Sequence, residues 1–391
     1  MKDFNVPRRR FGRTELSMPV LTCGGMRFLH FHEDKSQGGL EKLIHRGLDL
    51  GINHIETARG YGTSEEQLGA VLPHLPRDEI LVQTKVGPKE SAREFREAVE
   101  LSLATLNLDH VDLLTLHGIN NREVLEWCIR PGGCLEEILK FQKEGLCRFV
   151  GFSTHAALPI IVEMIETGAM QYVNLHWYFV QQVNWPAIQA AARQDMGVFI
   201  ISPNDKGGKL YAPSEKLMHL CEPLSPMQFN GLWCLVPDPV HTLSIGAACA
   251  EDFDEHIEAL GHYGERKAIT EPIANRLESE MRSVLGDDWF DRWHVGLPHH
   301  VDVPGEINVR EILRLWNFAK SLDMIEYGKM RYNLLGSAGH WFPGKRVDGL
   351  KDKKIAACLR HSPFADRIPD ILREAHALLD DQPVKRLTES A

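Results

Sequence analysis

Short apolar runs alternate along the chain with longer segments in which apolar residues recur at helical spacing. The apolar runs predict strands, and the three-to-four-residue periodicity of the intervening segments predicts helices. The predicted strands are Ile52–Thr57, Ile80–Val86, Val111–His117, Arg148–Ser153, Gln171–Leu175, Gly197–Ser202 and His241–Gly246. The predicted helices between them include Leu40–Leu50, Ala92–Leu106, Leu135–Glu144, Ala157–Thr167 and Pro186–Gln194.

A first strand in the segment RRRFGRTELSMPVLTCGGM, with Gly24, Gly25 and Met26 at its end, brings the number of predicted strand–helix units to eight. Eight such units predict the α/β class and a closed parallel (β/α)8 barrel, often called a TIM barrel. After Gly264 the alternation stops, and the remaining periodic segments are predicted helices: Glu271–Leu285, Val309–Tyr327 and Ile368–Leu379. We therefore predict two domains, a barrel over residues 1–264 and a smaller, mostly helical domain over residues 265–391.

The composition limits the class of partner. The 391 residues carry a net charge of −10 without a long basic run, which argues against nucleic acid or an anionic membrane surface as the main partner. The eight cysteines form no C-x-x-C pair, and no run is apolar enough for a membrane span or a secretory signal. We expect a cytoplasmic protein that acts on a small molecule; a protein partner cannot be assigned from the sequence.

Polar residues occur where three predicted strands end. Glu56, Lys85 and His117 lie at these ends, and Tyr61 follows the first of them closely. Because parallel barrel strands all end at one rim, these groups are expected to meet there. A phenol donates a proton poorly near neutral pH unless a cation stabilises the phenolate, and a carboxylate can hold that cation in place. Taken singly, each of these residues more often has a structural role than a catalytic one. The hypothesis of a catalytic site therefore rests on their combination.

The segments E-T-A-R-G-Y-G-T-S-E-E-Q-L-G, T-K and L-H resemble the signatures of the aldo-keto reductase family in order and spacing. The resemblance implies NAD(P)H-dependent reduction of aldehyde or ketone carbonyls by hydride transfer, with Tyr61 as the general acid. Lys85 and Glu56 would support Tyr61, Glu56 standing where the family has aspartate. His117 would donate a hydrogen bond to the substrate carbonyl.

The resemblance also implies a nicotinamide cofactor, with NADP(H) expected and NAD(H) as the alternative. GFSTHA resembles the segment that binds the carboxamide, and ISPNDKGGKL resembles the loop that approaches the phosphates. In isolation the second segment would fit an ordinary solvent loop, but its position after the seventh strand favours phosphate binding. The implied cofactor-binding residues are Gly25, Met26, Ser153, Thr154, Gln171, Ser202, Pro203, Gly207, Gly208, Lys209, Gly246, Cys249 and Glu255.

Several positions depart from the family pattern. Thr154 replaces an asparagine, Ile201 replaces an aromatic ring, and Ala248 and Cys249 stand where basic residues grip the 2′-phosphate of NADPH. Together with the longer side chain of Glu56, these departures motivate a second hypothesis. In it the chain is a nicotinamide-cofactor-binding regulatory or subunit protein with little turnover.

The C-terminal third resembles the ferredoxin-like extension of some bacterial aldo-keto reductases. Only Cys358 is kept in CLRHSPFADRIP, where His361, Phe364 and Ile368 take the other ligand positions. We therefore expect no iron–sulfur cluster, because such clusters need thiolate ligands. We also expect no metal site, since the spacing fits no zinc pattern at the remaining candidates, His294, His299, His300 and Asp302.

Overall fold

The computed structural model describes residues 5–347 and 352–382. Over this range the chain divides into two compact units, the first ending at Gly207 and resuming from Asn230 to Lys267. The second contains Gly208–Phe229 and the chain from Ala268 onward. The segment Gly208–Phe229 thus packs with the C-terminal unit, an assignment absent from the sequence analysis. A functional domain boundary at residue 264 stays a prediction.

The first unit is a closed barrel of parallel strands preceded by an antiparallel hairpin of β1 (Arg8–Arg10) and β2 (Ser17–Pro19). The barrel strands are β3 (Leu21–Gly24), β4 (His54–Glu56), β5 (Leu81–Val86), β6 (Val111–Leu116), β7 (Cys147–Ser153), β8 (Tyr172–Leu175), β9 (Gly197–Ile200) and β10 (Thr242–Ile245). Neighbouring strands pair in chain order, and β10 closes the barrel by pairing with both β9 and β3. The predicted (β/α)8 barrel is confirmed.

Helices connect successive strands, as the alternating pattern predicts. Those between β3 and β9 are α1 (Gly38–Asp49), α2 (Ser64–Val71), α3 (Ala92–Leu106), α4 (Arg122–Ile129), α5 (Cys134–Lys143), α6 (Leu158–Glu166) and α7 (Trp185–Arg193). The next four are α8 (Glu215–Cys221) and α9 (Pro226–Cys234) before β10, then α10 (Asp254–Leu260) and α11 (Arg266–Leu285).

Helix α3 illustrates how local signals set helix ends. At its start the Ser91 hydroxyl accepts a hydrogen bond from the Glu94 backbone N–H at 3.4 Å. At its end Asn107 adopts a left-handed conformation with φ of 56°, which asparagine tolerates better than most residues. Both signals are visible in the sequence, and the structure confirms the predicted range.

Inward-facing side chains fill the barrel in layers, because alternate strand residues point toward its axis. The lowest layer is apolar and includes side chains of the preceding hairpin: Phe11, Leu16, Met18, Leu81, Leu113, Tyr172 and Phe199. Above it lies a polar layer, in which Thr22 Oγ1 is 2.8 Å from His54 Nδ1 and Gln83 Nε2 donates to Thr115 Oγ1 at 2.8 Å. The next inward positions on β4 and β5 are those of Glu56 and Lys85.

The second unit is helical over its described residues. Besides α8 and most of α11 it contains α12 (Asp287–Arg292), α13 (Val309–Leu322), α14 (Ile325–Tyr332), α15 (Asp352–Cys358) and α16 (Ile368–Leu379). The single predicted helix Val309–Tyr327 is wrong, because Asp323 takes a left-handed conformation with φ of 56° and ends α13. Helix α16 confirms the predicted range.

Two further features concern membrane-spanning helices and the state of the cysteines. No helix in the described ranges has the length and apolarity needed to cross a membrane. All eight cysteines are free thiols, of which Cys249 is exposed and Cys358 half-buried. The expected cytoplasmic location stays a prediction.

Candidate active site

Three of the predicted catalytic side chains meet where β4 and β5 end. Lys85 Nζ forms an ion pair with Glu56 Oε1 and lies 3.0 Å from the Tyr61 hydroxyl oxygen. The Tyr61 hydroxyl is also 3.3 Å from Glu56 Oε1. The geometry thus brings a phenol, an amine and a carboxylate into one hydrogen-bonded cluster.

The strands and the following turn fix these positions. Glu56 on β4 pairs in register with Gln83 on β5. Lys85 follows Gln83 by two residues on the same strand, so its inward-facing side chain lies one layer above that of Gln83. Tyr61 is held by a turn in which its backbone N–H donates to Ala58 O at 3.0 Å. Helix α2 then begins at Ser64, whose hydroxyl donates to Gly25 O at 2.8 Å.

Glu56 uses both carboxylate oxygens. Its Oε1 meets Lys85, and its Oε2 accepts a hydrogen bond from Ser244 Oγ at 3.0 Å. Glu56 is only 2 % exposed, and a buried carboxylate is stable when its lone pairs are satisfied in this way. The longer glutamate side chain therefore reaches the lysine while also bonding across the barrel to β10.

The Lys85 amine is 1 % exposed. Burial lowers the pKa of Lys85 well below its usual value, while contact with the Glu56 carboxylate acts in the opposite direction. Lys85 Nζ also donates to Thr57 O at 2.9 Å, so its donors face three oxygen atoms. This environment aims the amine at the Tyr61 hydroxyl.

His117 follows β6 and stands beside the same cluster. Its ring meets the Tyr61 ring edge to face, with centroids 5.7 Å apart and an interplanar angle of 82°. Its backbone N–H donates to Val86 O at 2.8 Å, which fixes the strand end next to Lys85. The structure therefore brings all four predicted catalytic residues together.

Ser153 and Thr154 lie at the end of β7, as the carboxamide prediction requires. Ser153 Oγ accepts a hydrogen bond from Gly118 N at 3.0 Å. The Thr154 hydroxyl donates to Ile119 O at 2.7 Å and accepts from Ala156 N at 3.0 Å, so it holds the loop together. Both side chains are buried at the rim.

The structure does not place Gln171 on the rim, and this prediction is corrected. Gln171 precedes β8, and its side-chain oxygen accepts hydrogen bonds from Gln142 Nε2 at 2.9 Å and Val150 N at 3.0 Å. It therefore belongs to the opposite end of the strand. Its role is to join β7 and β8 near their starts.

Asn174 is a rim residue that the sequence analysis missed. It lies in β8, in register with Ser153 on β7, and is fully buried. Neither its side-chain oxygen nor its nitrogen has a hydrogen-bond partner among the described residues. Asn174 could have been recognised from the sequence, because it is an amide at an inward-facing strand position three residues beyond Gln171 and nearer the strand end.

The loop after β9 begins with Ser202 in a left-handed conformation, φ 53°, and continues to Pro203, whose carbonyl accepts from Asn230 Nδ2 at 3.0 Å. A Cβ on Gly207 would lie 1.9 Å from Pro203 O, so only glycine fits there. Gly208 and Lys209 belong to the second unit, where Lys209 Nζ is 3.3 Å from a Glu326 carboxylate oxygen.

The loop after β10 carries the remaining cofactor predictions. Gly246 and Cys249 are exposed and Glu255 is half-buried. The Asp252 carboxylate accepts hydrogen bonds from Ala248 N at 2.7 Å and Cys249 N at 3.2 Å. A carboxylate thus already occupies backbone N–H groups that could otherwise bind an anion.

The end of β3 faces this loop. Gly25 is buried and a Cβ there would lie 2.6 Å from Glu56 O, which explains the glycine, and Met26 is half-buried. The Arg27 side chain approaches Gly246, since a Cβ on that glycine would lie 3.6 Å from Arg27 Nε. Although partial burial acts to raise the pKa of Asp252, hydrogen bonding to the loop and the charge of Arg27 lower it overall. Arg27 is therefore a cation at this rim.

Comparisons with known proteins find similar sequences and similar folds. A sequence profile described as the aldo/keto reductase family matches residues 20–203. An aldo-keto reductase of Mycolicibacterium smegmatis is 31% identical over 150 residues, 36% of this chain and 50% of that protein. The methylglyoxal reductase DkgA of Salmonella typhimurium is 30% identical over 141 residues, 34% of this chain and 48% of that protein. The chain thus spans about half the length of these two relatives.

A solved structure has a similar fold over a larger share of the chain. The aldo-keto reductase AKR11C1 from Bacillus halodurans, in its holo form, superposes with a TM-score of 0.57 at 22% identity. The superposition covers 68% of this chain and 96% of that structure, which shows a shared fold. Residues 20–203, which contain the strand-end cluster of Glu56, Tyr61, Lys85 and His117, thus match the aldo/keto reductase family.

Proposed function

We propose that this chain reduces aldehyde or ketone carbonyls with a nicotinamide cofactor, with Tyr61 as the general acid. The observation that carries the proposal is the contact of Lys85 Nζ with the Tyr61 hydroxyl at 3.0 Å, with Glu56 bound to the same amine. A bound nicotinamide would supply hydride to the carbonyl carbon. The residues of the chain must then protonate the carbonyl oxygen.

Tyr61 supplies that proton. When the hydroxyl gives it up, the phenolate is stabilised by the Lys85 ammonium, which donates to the same oxygen. Glu56 keeps the lysine charged and aimed, because a carboxylate beside a buried amine favours its protonated form. The buried setting strengthens these interactions relative to water.

His117 orients the substrate. Its imidazole stands edge to face with the Tyr61 ring, so a carbonyl oxygen placed at the phenol lies within reach of an imidazole N–H. A second donor at this oxygen would also stabilise the negative charge that develops there. We assign His117 the positioning of the carbonyl.

The chain offers groups that fit the carboxamide of a nicotinamide. The buried Asn174 amide has an unsatisfied donor and an unsatisfied acceptor, and a second primary amide complements both. An unpaired buried polar group costs about 1–3 kcal/mol, so a ligand that pairs it gains affinity. Asn174 and Ser153 would hold the carboxamide, and residues 202–207 after β9 together with the loop after β10 would hold the phosphates.

A specific observation favours the second candidate, a cofactor-binding protein with little turnover. The Thr154 hydroxyl is engaged by Ile119 O and Ala156 N, so it is not a direct replacement for a side-chain amide. Fewer carboxamide contacts would loosen the nicotinamide. Binding would then persist while the efficiency of hydride transfer falls.

One screen separates these candidates. Oxidation of NADPH and NADH is followed against a panel of carbonyls that includes methylglyoxal, the substrate in the name of one relative. We expect turnover that depends on the carbonyl and disappears in Tyr61→Phe. Cofactor binding by fluorescence without turnover on any carbonyl would instead support the binding protein.

A further inference from the structure

A polar cavity lies at the end of the barrel opposite the catalytic rim. Its volume is about 200 Å³, and it is lined by the hairpin residue Arg8, by Arg77 before β5, and by Asp112 and Arg148 near the starts of β6 and β7. The catalytic residues lie at the other ends of these strands. The cavity is therefore separate from the proposed cofactor and substrate site.

The acidic group deepest in this cavity is fully engaged. Asp112 is 2 % exposed, and its two oxygens bind Arg148 Nη1 at 2.7 Å and Arg77 Nη1 at 2.9 Å. Its Oδ2 also accepts from the Val82 backbone N–H at 2.9 Å. One carboxylate thus serves two guanidinium groups, which leaves an excess of positive charge around it.

Arg8 adds a third guanidinium without an acidic partner among its described hydrogen bonds. These run to the backbone oxygens of Ser17 and Gly51, to the Ser17 hydroxyl at 3.1 Å and, at 2.9 Å, to the neutral side chain of Asn53. Arg8 is an exposed residue, and the partial burial of its guanidinium lowers the pKa of Arg8. A nearby anion would act in the opposite direction.

Arg77 supplies an unsatisfied donor to the same place. Its Nε is buried and has no hydrogen-bond partner among the described residues, although its other nitrogens bond to Asp112 and to backbone carbonyls. Asp78 and Glu79 also line the cavity and are exposed, as are Arg8 and Arg148, whereas Arg77 is half-buried and Asp112 is buried.

We propose that this cavity binds a small oxyanion, a phosphate or carboxylate group, between Arg8, Arg77 and Arg148. Guanidinium groups present planar forks of N–H donors that match oxyanions, and the half-buried Arg77 is the one of the three that is partly shielded from water. An anion here would tie the hairpin to the starts of β5, β6 and β7. Its source is either free inorganic phosphate or a small carboxylate metabolite.

The experiment is a titration of the full chain, without nicotinamide cofactor, by calorimetry and by thermal unfolding at constant ionic strength. Inorganic phosphate is one arm, citrate and acetate form the second, and chloride sets the background. We expect saturable phosphate or carboxylate binding with one site and a rise in unfolding temperature. Arg148→Gln and Arg8→Gln should each weaken binding about tenfold, the effect of losing one charge-assisted contact.

Two matched controls locate the site. Arg93→Gln removes a surface arginine whose partner is the exposed Glu97 and should leave binding unchanged. Arg27→Gln removes a cation of the catalytic rim and should also leave binding unchanged if the anion occupies the opposite end. Arg148→Lys keeps the charge but loses the fork, so intermediate binding is expected from a correctly folded protein.

Three results would overturn the proposal: no saturable binding of any oxyanion, wild-type affinity in both Arg148→Gln and Arg8→Gln, or loss of binding only in Arg27→Gln. If Arg148→Gln fails to fold, Arg8→Gln and Arg148→Lys still decide the question. The titration uses neither cofactor nor carbonyl, so its outcome is independent of the proposed reductase activity.

Discussion

The Lys85 amine lies 3.0 Å from the Tyr61 hydroxyl, across a separation of 24 residues in the chain. Lys85 Nζ also lies 4.4 Å from the centroid of the Tyr61 ring. The amine therefore contacts both the oxygen and the face of the phenol. Under the proposed function this amine supports proton donation by Tyr61, and the predictions for Tyr61→Phe and Glu56→Asp depend on that relationship.

Tyr61→Phe should reduce carbonyl turnover by about 100-fold to 10,000-fold, the range that a general acid contributes. Cofactor affinity should stay near wild type, because the ring is kept. Steady-state kinetics and a fluorescence titration measure the two quantities. Tyr263→Phe is the control, since that hydroxyl bonds to Arg9 at 2.8 Å near the hairpin. Wild-type turnover in Tyr61→Phe would remove this residue from the mechanism.

Glu56→Asp should lower kcat by about 10-fold to 100-fold, because a shorter side chain cannot hold both Lys85 and Ser244. Ser244→Ala tests the second contact alone and should cost less. The measurement is kcat with saturating cofactor. Equal or faster turnover in Glu56→Asp would show that the glutamate is a poor compromise for this site.

Discrimination between NADPH and NADH should be weak, less than about a thousandfold in affinity, because the loop after β10 lacks a basic pair. The Asp252 carboxylate on Ala248 N and Cys249 N adds a negative charge there. Asp252→Asn should improve NADPH binding relative to NADH, and Arg27→Gln should do the reverse. Titrations of both cofactors against each variant test this. A thousandfold preference for NADPH in the wild type would contradict it.

The free energy of unfolding should fall as the pH is lowered from about 6.5 toward 4. Burial lowers the pKa of His54 to about 3 and those of His241 and His256 to about 4, so the unfolded chain binds more protons in this range. His54 alone should cost about 2 kcal/mol at pH 5. Urea denaturation at pH 7.5 and pH 5 measures the loss.

His54→Gln keeps a polar group in the barrel layer without a group that titrates in this range. We expect it to retain a larger share of its pH 7.5 stability at pH 5 than the wild type does. His219→Gln is the control, because that imidazole is exposed beside Glu222. The same pH dependence in His54→Gln and in the wild type would assign the acid sensitivity to other groups.

Protein purified without oxygen should lack an iron–sulfur cluster. Of the four positions in the ferredoxin-like run only Cys358 is a thiol, and phenylalanine and isoleucine cannot ligate iron. Phe364 packs instead against Trp289, with ring centroids 4.9 Å apart, and Ile368 is fully buried. Iron and sulfide analysis with a visible absorption spectrum tests this. About four irons and four sulfides per chain would refute it.

The sequence alone determined the barrel and the meeting of Glu56, Lys85 and His117 at one rim. Strand and helix periodicities follow from backbone geometry, and capping residues such as Ser91 and Asn107 act locally, so both can be recognised without a structure. Strand ends of a parallel barrel share one rim, so the order of Glu56, Lys85 and His117 along the chain was enough to predict that they meet.

The tertiary structure decided which residue stands at which depth. The resemblance assigns Gln171 to the nicotinamide carboxamide, but the folded strand has Gln171 at its start and Asn174 near its end, in register with Ser153. Two other features depend on residues that meet only after folding. One is the packing of Gly208–Phe229 with the C-terminal unit, and the other is the hydrogen bond from Ala248 N to the Asp252 carboxylate. Likewise, the cavity lined by Arg8, Arg77 and Arg148 forms from three segments that are far apart in the sequence. Asp112 pairs with Arg77 and Arg148 only in the closed barrel, so the sequence contains no pattern that predicts this cavity.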